Sequence, residues 1–321
     1  MNAHSAPESY SPPVSRDPAN GTDPGSPKRA GGRLWAFIVV GLSLAAFYSL
    51  RDLPKWVMVQ RHTAAAEKAI QNGDWDAAIA EMDKAVARDP SALTYAQRSH
   101  VYHQKASSER RSDNVSEHGK YRKTAELALA DINQSIELKA SPQWYSQRAI
   151  IHESLDRFRD AAEDWTSFLQ MLNSTNDSIF LADGLNARAY MRALGEFEIA
   201  EGIEDAEKAL RILPSVPSKR FNTEDTHAYL LHLNGESEKA IKIFERCLKT
   251  AEENLRIQQE LAESVKNGEK PPQQLRIAQD AVAVILHHRG LAYQSVGQKT
   301  AAEFDFKKAI ELGYDPEKGI R

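Results

Sequence analysis

The chain has 321 residues, 41% hydrophobic and 27% charged, which supplies enough apolar material for a sizeable core. Its 41 Lys and Arg against 45 Asp and Glu leave a net charge of −4, and no basic run is interleaved with aromatics; both argue against general nucleic-acid binding. A single cysteine, Cys247, rules out an internal disulfide and leaves the redox compartment open.

Residues 1–33 hold Ser, Pro, Gly, Asn and Asp with almost no large apolar side chains, so a disordered polar tail is expected. Leu34 to Leu50 follow without a charge. As a helix they would span about 26 Å, close to bilayer thickness, so residues 34–50 are expected to be a transmembrane anchor. Trp35 and Tyr48 suit the two interfaces. A cleaved signal peptide would need small residues after the apolar stretch, and Phe47-Tyr48-Ser49-Leu50-Arg51 is a poor match. A buried core helix fits less well, since the segment is apolar on all sides and follows a tail expected to be disordered. Lys28, Arg29 and Arg33 balance Arg51, Lys55 and Arg61, so flanking charge gives no orientation. A short tail beside a basic cluster rarely crosses a membrane, which favours a cytoplasmic N-terminus with the remainder on the outer side. Residues 51–58 read as a linker.

From residue 59 to 316 a spacing recurs: small residue, bulky residue four later, small residue three after that. It runs Ala78/Met82/Ala85, Ala128/Ile132/Ser135, Ala161/Trp165/Phe168, Gly202/Ala206/Ala209, Ala240/Phe244/Cys247 and Ala302/Phe306/Ala309, with Phe168 the one bulky third member and Ala206 the one small middle member. Offsets of four and three keep each set on one helical face, where small residues admit a neighbouring helix. Cys247 takes a small-residue position and reads as packing. Units close on Asp89-Pro90, Ser141-Pro142, Leu213-Pro214 and Asp315-Pro316. A second helix precedes each seam, marked by Tyr95-Ala-Gln-Arg98, Tyr145-Ser-Gln-Arg148, Leu185-Asn-Ala-Arg188, Glu224-Asp-Thr-His227 and Leu286-His-His-Arg289. The polar stretch 107–119 reads as an exposed loop, and Asn173 to Ser178 as a shorter one. From about 240 to 296 the apolar stripe runs on through Leu248, Ala251, Leu255 and Leu261 and resumes at Leu275, which predicts a long helical hairpin. Residues 317–321 are a tail.

On these residues the chain resembles the tetratricopeptide repeat family, whose unit is about 34 residues of the type Gly-x2-Tyr…Ala-x3-Phe…Pro. Gly290, Tyr293, Gly297, Ala302, Phe306, Ala309 and Pro316 carry the best match, with Gly73, Trp75, Ala78, Ala85 and Pro90 next. The resemblance implies an all-α fold, a right-handed α-solenoid of about six helix-turn-helix repeats whose first helices line a concave face where protein or peptide partners lie. By spacing, that face would include His100, His103, Tyr190, Tyr229, His232 and His287, with Glu67, Ser146, Asn186 and Asp225 as neighbours. The plainer reading is that each simply faces solvent. Some family members grip a terminal carboxylate with Lys, Arg and Asn here. This chain offers Thr63, Ala96, Ser146, Asn186, Asp225 and His287 at those positions, which does not support that activity.

Catalytic signatures are lacking: no phosphate loop, dinucleotide glycine fingerprint, His-Glu-x-x-His or nucleophile elbow occurs. His100 and His103, or His287 and His288, lack the further ligands a metal needs. No cofactor, metal or small-molecule substrate is implied. The expectation is a non-enzymatic, membrane-anchored interaction scaffold; the alternative is an envelope-associated enzyme or assembly factor with its activity in the inserts or long hairpin.

One charged pattern is regular. Arg98, Arg148, Arg188 and Arg289 on first helices accompany Asp131, Asp164, Asp205 and Asp305 on second helices. Where the Arg is replaced by Ala65 or His227, the Asp is replaced by Glu81 or Ile243. Residue types that come and go together suggest contact, so four structural ion pairs are expected, against a reading in which both partners are merely solvated.

Overall fold

A computed structural model describes residues 55–111, 118–172, 178–264 and 273–315. The chain divides into two units, 1–54 and 55–321, and all of the description falls in the second. Twelve helices and no strand occur among the described residues. They form six consecutive hairpins. Unit one joins α1 (55–71) to α2 (Trp75–Arg88), and unit two α3 (Ala92–Arg111) to α4 (His118–Leu138). Unit three joins α5 (Pro142–Ser154) to α6 (Phe158–Leu172), and unit four α7 (Ser178–Leu194) to α8 (Ile199–Ile212). Unit five joins α9 (Pro217–Leu233) to α10 (Ser237–Glu263), and unit six α11 (Gln273–Ser295) to α12 (Lys299–Glu311). Helices pack on their chain neighbours, and among the first helices α9 also touches α7 and α11, as α3 touches α5. The result is an all-α repeat array.

The recurrent spacing is the seam of each hairpin. Ala78, Met82 and Ala85 are buried, as are Ala128, Ile132 and Ser135, Gly202, Ala206 and Ala209, and Ala240, Phe244 and Cys247. Trp165 and Phe306 are the half-buried exceptions. Two glycines explain how bulky rings fit. A Cβ on Gly290 would stand 2.5 Å from Phe306 Cε1, and one on Gly184 would stand 2.7 Å from Phe168 Cε1. Hydroxyls close the remaining gaps: Ser99 Oγ donates to the Ala128 carbonyl at 2.8 Å and Ser135 Oγ to the Ala92 carbonyl at 2.7 Å.

Turns within hairpins share one geometry. After the first helix the chain passes through a left-handed residue, Gly73, Gly235 or Gly297, at φ 74°, 85° and 77°. The next amide then bonds back to the carbonyl five residues earlier, as Asp74 does to Ala69 at 2.9 Å and Glu236 to Leu231 at 2.8 Å. Unit three puts Asp156 there at φ 62°, a conformation Asp tolerates better than most residues. Its carboxylate accepts from Arg122 Nη2 at 3.1 Å, so the side chain has a reason to be present.

Three sequence expectations change. Helix α1 begins at residue 55, so the linker 51–58 is helical over 55–58 and the array starts earlier than 59. The polar stretch 107–119 is helical to Arg111 and again from His118, leaving only 112–117, outside the described residues, for a loop. Polar Ser, Glu and Arg do not end a helix, and Arg110 ties this turn down: its Nη1 donates to the Ser154 carbonyl at 2.9 Å and its guanidinium lies over the Tyr121 ring. The expectation of a single-pass membrane protein with its repeats on the outer side is also corrected. No helix among the described residues is long and apolar enough to cross a membrane, and residues 34–50, where the span was expected, lie outside them. The tails 1–33 and 317–321 and the stretch 173–177 lie outside them as well. Helices α10 and α11, with 27 and 23 residues, are the longest described. Their stripe stays buried from Ala240 to Leu255, then becomes exposed at Ile257 and Leu261.

The Gly290 contact predicts that Gly290→Ala lowers the melting temperature. Overpacking costs about 1–3 kcal/mol, more than the roughly 1 kcal/mol helix gain of Gly to Ala. Adding Phe306→Leu should return part of the loss; thermal melts of the single and double variants read this directly.

Candidate functional site

Two constellations account for the candidate residues: a charged ladder between helices, and a ring cluster on the first helices of units four to six. In the ladder each Arg grips an Asp through paired nitrogens. Arg98 Nε and Nη2 donate to Asp131 at 2.7 Å each, and Arg289 Nε and Nη2 to Asp305 at 2.7 and 2.8 Å. Arg188 does the same to Asp205 at 2.7 and 2.8 Å, and Arg148 Nη2 reaches Asp164 at 2.6 Å. All four carboxylates are buried, Asp164 and Asp205 to 2% exposure and Asp305 to 1%. The guanidiniums stay part-exposed, and three of them lie over a tyrosine ring of their own helix: Arg98 on Tyr95, Arg148 on Tyr145, Arg289 on Tyr293.

The third nitrogen reaches a residue that sequence reasoning missed. Arg98 Nη1 donates to Asp83 at 2.8 Å, Arg148 Nη1 to Asn133 at 2.8 Å and Arg188 Nη1 to Thr166 at 3.1 Å. Each acceptor lies on the second helix of the preceding unit, one residue after its bulky seam position (Met82, Ile132, Trp165). The paired Asp lies one residue before the bulky position of its own unit. In unit six the corresponding Glu245 accepts from Tyr293 Oη at 3.2 Å.

Where Arg is missing, other residues act. Glu81 is held by His62 Nδ1 at 2.7 Å, one turn before Ala65. In unit five, His227 Nε2 stands 3.9 Å from Glu207 of the preceding unit, and Ile243 offers no acceptor. There a different pair joins the first helices of units five and six. His288 Nδ1 lies 3.1 Å from both carboxylate oxygens of Asp225, and both residues are buried. Asp225 accepts only, so the Nδ1 tautomer carries the proton.

His288 is the hub of the ring cluster. Tyr229 stacks on it with centroids 4.0 Å apart and planes 5° from parallel. Tyr190 meets it edge-on at 6.5 Å, and His287 lies 6.2 Å away and stacks on Tyr314 at 4.2 Å. His232 stacks on Tyr229 at 6.3 Å and shares a hydrogen bond with Ser237 Oγ at 2.9 Å. So Tyr190, Tyr229, His232 and His287 come together, with Asp225 as their buried anchor. His100 and His103 lie apart in α3: His100 contacts Gln104 at 2.8 Å, and His103 lines a small cavity of about 120 Å³ with Arg110, Tyr121 and Glu153. Glu153 links the regions, since its charge also acts on the Tyr190 phenol.

Burial favours the neutral forms of the rings around His288. Burial, then the charge of Glu196, pushes the Tyr229 phenol up to about 12; burial, then Glu153, pushes Tyr190 up as well. Burial, with the neighbouring His288, holds His287 down to about 4 and lowers His232 too. Among the described residues neither phenol oxygen has a hydrogen-bond partner, and no group of acidic, His or Cys residues is placed to hold a metal. Cys247, buried in the unit-five seam, has its thiol pushed up by burial.

Two outcomes follow. Removing Arg148 alone leaves buried Asp164 without its counter-charge, a loss of about 3–5 kcal/mol, whereas Arg148→Met with Asp164→Leu should lose much less than the sum of the singles. Chemical denaturation of the four proteins in a double-mutant cycle measures the coupling. For His287 the folded value lies below the ordinary 6.5, so the unfolded chain takes up the proton first. The stability this neutral ring supports is complete above pH 6.5 and is lost as the pH falls towards 4. Melting temperature should therefore fall less over that window in His287→Gln than in the unaltered chain.

A family model described as tetratricopeptide repeat matches residues 226–254 and 283–312, within units five and six. No curated protein matches the sequence. Among solved structures, the apo form of RapI is similar at 12% identity and a TM-score of 0.50, covering 79% of this chain and 97% of RapI. A tetratricopeptide repeat protein from Parabacteroides merdae is similar at 16% identity and a TM-score of 0.48, over 81% of this chain and 95% of that one. MamA is similar at 16% identity and 0.47, over 62% and 94%. The likeness to RapI carries the fold alone. Units five and six thus match the tetratricopeptide repeat model, and the same helical hairpin recurs in the other four described units.

Proposed function

We propose that this chain is a protein-interaction scaffold that binds a protein or peptide segment across the first helices of units four to six. The observation that supports it most is the ring cluster. Among the described residues the Tyr190 and Tyr229 phenols have no hydrogen-bond partner, and both rings are held against His288, one edge-on and one stacked. Rigid aromatic side chains with a free polar tip are suited to binding, because little side-chain freedom is lost on contact. Under this reading His232 and His287 flank the contact, and His100 and His103 form an outlying part of the same face through Glu153. The Arg–Asp pairs hold repeat geometry and take no part in binding.

The long hairpin offers no comparable chemistry. A cavity of about 920 Å³ lies beside α10, but most of its charged lining is already paired: Arg220 and Arg246 both face Glu224 at 3.6 and 3.3 Å, and Glu253 pairs with Arg256 outside the cavity. The scaffold reading includes no catalytic step.

A photo-crosslinking side chain at Asn186 on α7 should yield a discrete adduct in cells, and the same group at exposed Lys242 on α10 should not. Tyr229→Ala should abolish the Asn186 adduct. Equal adducts from both positions, or an adduct indifferent to Tyr229, would overturn the proposal.

A further inference from the structure

Each second helix carries a large apolar residue four positions after its bulky seam position, and in the first five units this residue is covered. Val86, Leu169 and Leu248 are 7%, 6% and 5% exposed, and Ile136 and Leu210 are half-buried. In α12 the corresponding Ile310 is 53% exposed. The same helix bears Phe304, at 63% the most exposed large hydrophobic among the described residues. Its counterparts, two residues before the bulky position, are small or charged: Ala80, Ala130, Glu163, Glu204 and Lys242. Two large apolar side chains thus stand open on the outer face of α12.

The charges between them are ordered. Lys299, Glu303, Lys307 and Glu311 follow at intervals of four, so they form one exposed stripe of alternating sign. Within the helix this stripe is weakly satisfied, the Lys307–Glu311 contact being 3.9 Å. Under two-fold symmetry, which puts a parallel pair in register, the order is self-complementary in one direction only. In an antiparallel two-fold pairing centred on Asp305, Lys299 meets Glu311 of the second copy and Glu303 meets Lys307 of the second copy. A parallel pairing sets Lys on Lys and Glu on Glu. The same antiparallel register brings the two Phe304 rings side by side at the edge of the stripe.

We propose that the outer face of α12 pairs antiparallel with the α12 of a second copy of this chain. The surface is distinct from the ring cluster, so the proposal stands independently of the scaffold reading. A single pair of helices covers less area than a standard stable interface, so the dimer is weak and reversible, with dissociation in the micromolar range. The opposite charges fix direction and register, and the phenylalanines supply the apolar contact.

Sedimentation velocity of the full-length chain over a micromolar concentration series tests this. The expected result is a reversible monomer–dimer equilibrium that Phe304→Glu abolishes. Lys307→Glu or Glu303→Lys alone should weaken it at least tenfold, and the two together should restore it, because the swap re-creates opposite charges across the two-fold axis. These residues are exposed, so the variants should keep the thermal stability of the parent. A monomer at every concentration, including one that dimerises only when residues 316–321 are removed, would overturn the proposal. So would a dimer indifferent to Phe304→Glu, or one that the charge swap fails to rescue.

Discussion

Four buried carboxylates fix this array. An ionised carboxylate costs several kcal/mol to withdraw from water, and that cost is recovered only in a well-formed pair. Asp131, Asp164, Asp205 and Asp305 each find one in the two-nitrogen grip of an arginine on the facing helix. Such a fork is planar and directional, so it sets both the distance between the two helices and their axial register. The third nitrogen then makes the pair more than a hairpin clamp. By reaching Asp83, Asn133 and Thr166, the arginines of units two to four fasten their hairpins to the preceding unit. One side chain therefore holds three helices, and repeating it propagates a single stacking geometry along the chain.

Unit five departs from this arrangement, and the departure lies beside the ring cluster. With His227 and Ile243 at the positions that carry Arg and Asp in other units, no ladder rung forms, and the buried Asp225–His288 pair joins α9 to α11 instead. Substituting a histidine link for an arginine one changes what the surface can offer. A guanidinium would project charge over the first helices. A buried imidazole presents a flat face on which Tyr229 stacks, and it positions Tyr190 and His287 around it. The lapse in the structural pattern and the gathering of aromatic side chains have the same cause.

How much of this could be read from sequence depended on the range of each interaction. The seam was legible because a helix face repeats at offsets of three and four, and Ala78/Met82/Ala85 shows that period without help from the rest of the fold. The Arg–Asp pairing was legible because substitutions at the two positions coincide within one chain. Asp83, Asn133 and Thr166 were not, since a carboxylate, an amide and a hydroxyl share no residue type and meet the arginine only once units stack. Neither was Asp225–His288, whose members are 63 residues apart and occur once. At 107–111 polarity was mistaken for a break, although the Arg110 contacts to Ser154 and Tyr121 lie in other helices and cannot be seen locally.

These assignments determine which forces remain for recognition. The four ladder arginines are engaged by aspartates, and His287 and His232 are held towards their neutral forms by burial. Under the proposed scaffold reading, a partner at the ring cluster would meet aromatic area and phenol hydroxyls rather than fixed charge. Contacts of that kind derive their free energy from burial and short hydrogen bonds, which ionic strength barely affects, whereas exposed charge pairs are screened over about 10 Å at 0.1 M salt. The alternating Lys and Glu stripe of α12 is the opposite case, an exposed electrostatic pattern with an apolar edge. The fold has therefore separated its two candidate contact surfaces by physical type. Salt should weaken association through the last helix while leaving binding at the first helices of units four to six nearly unchanged, because only the former depends on unburied ions.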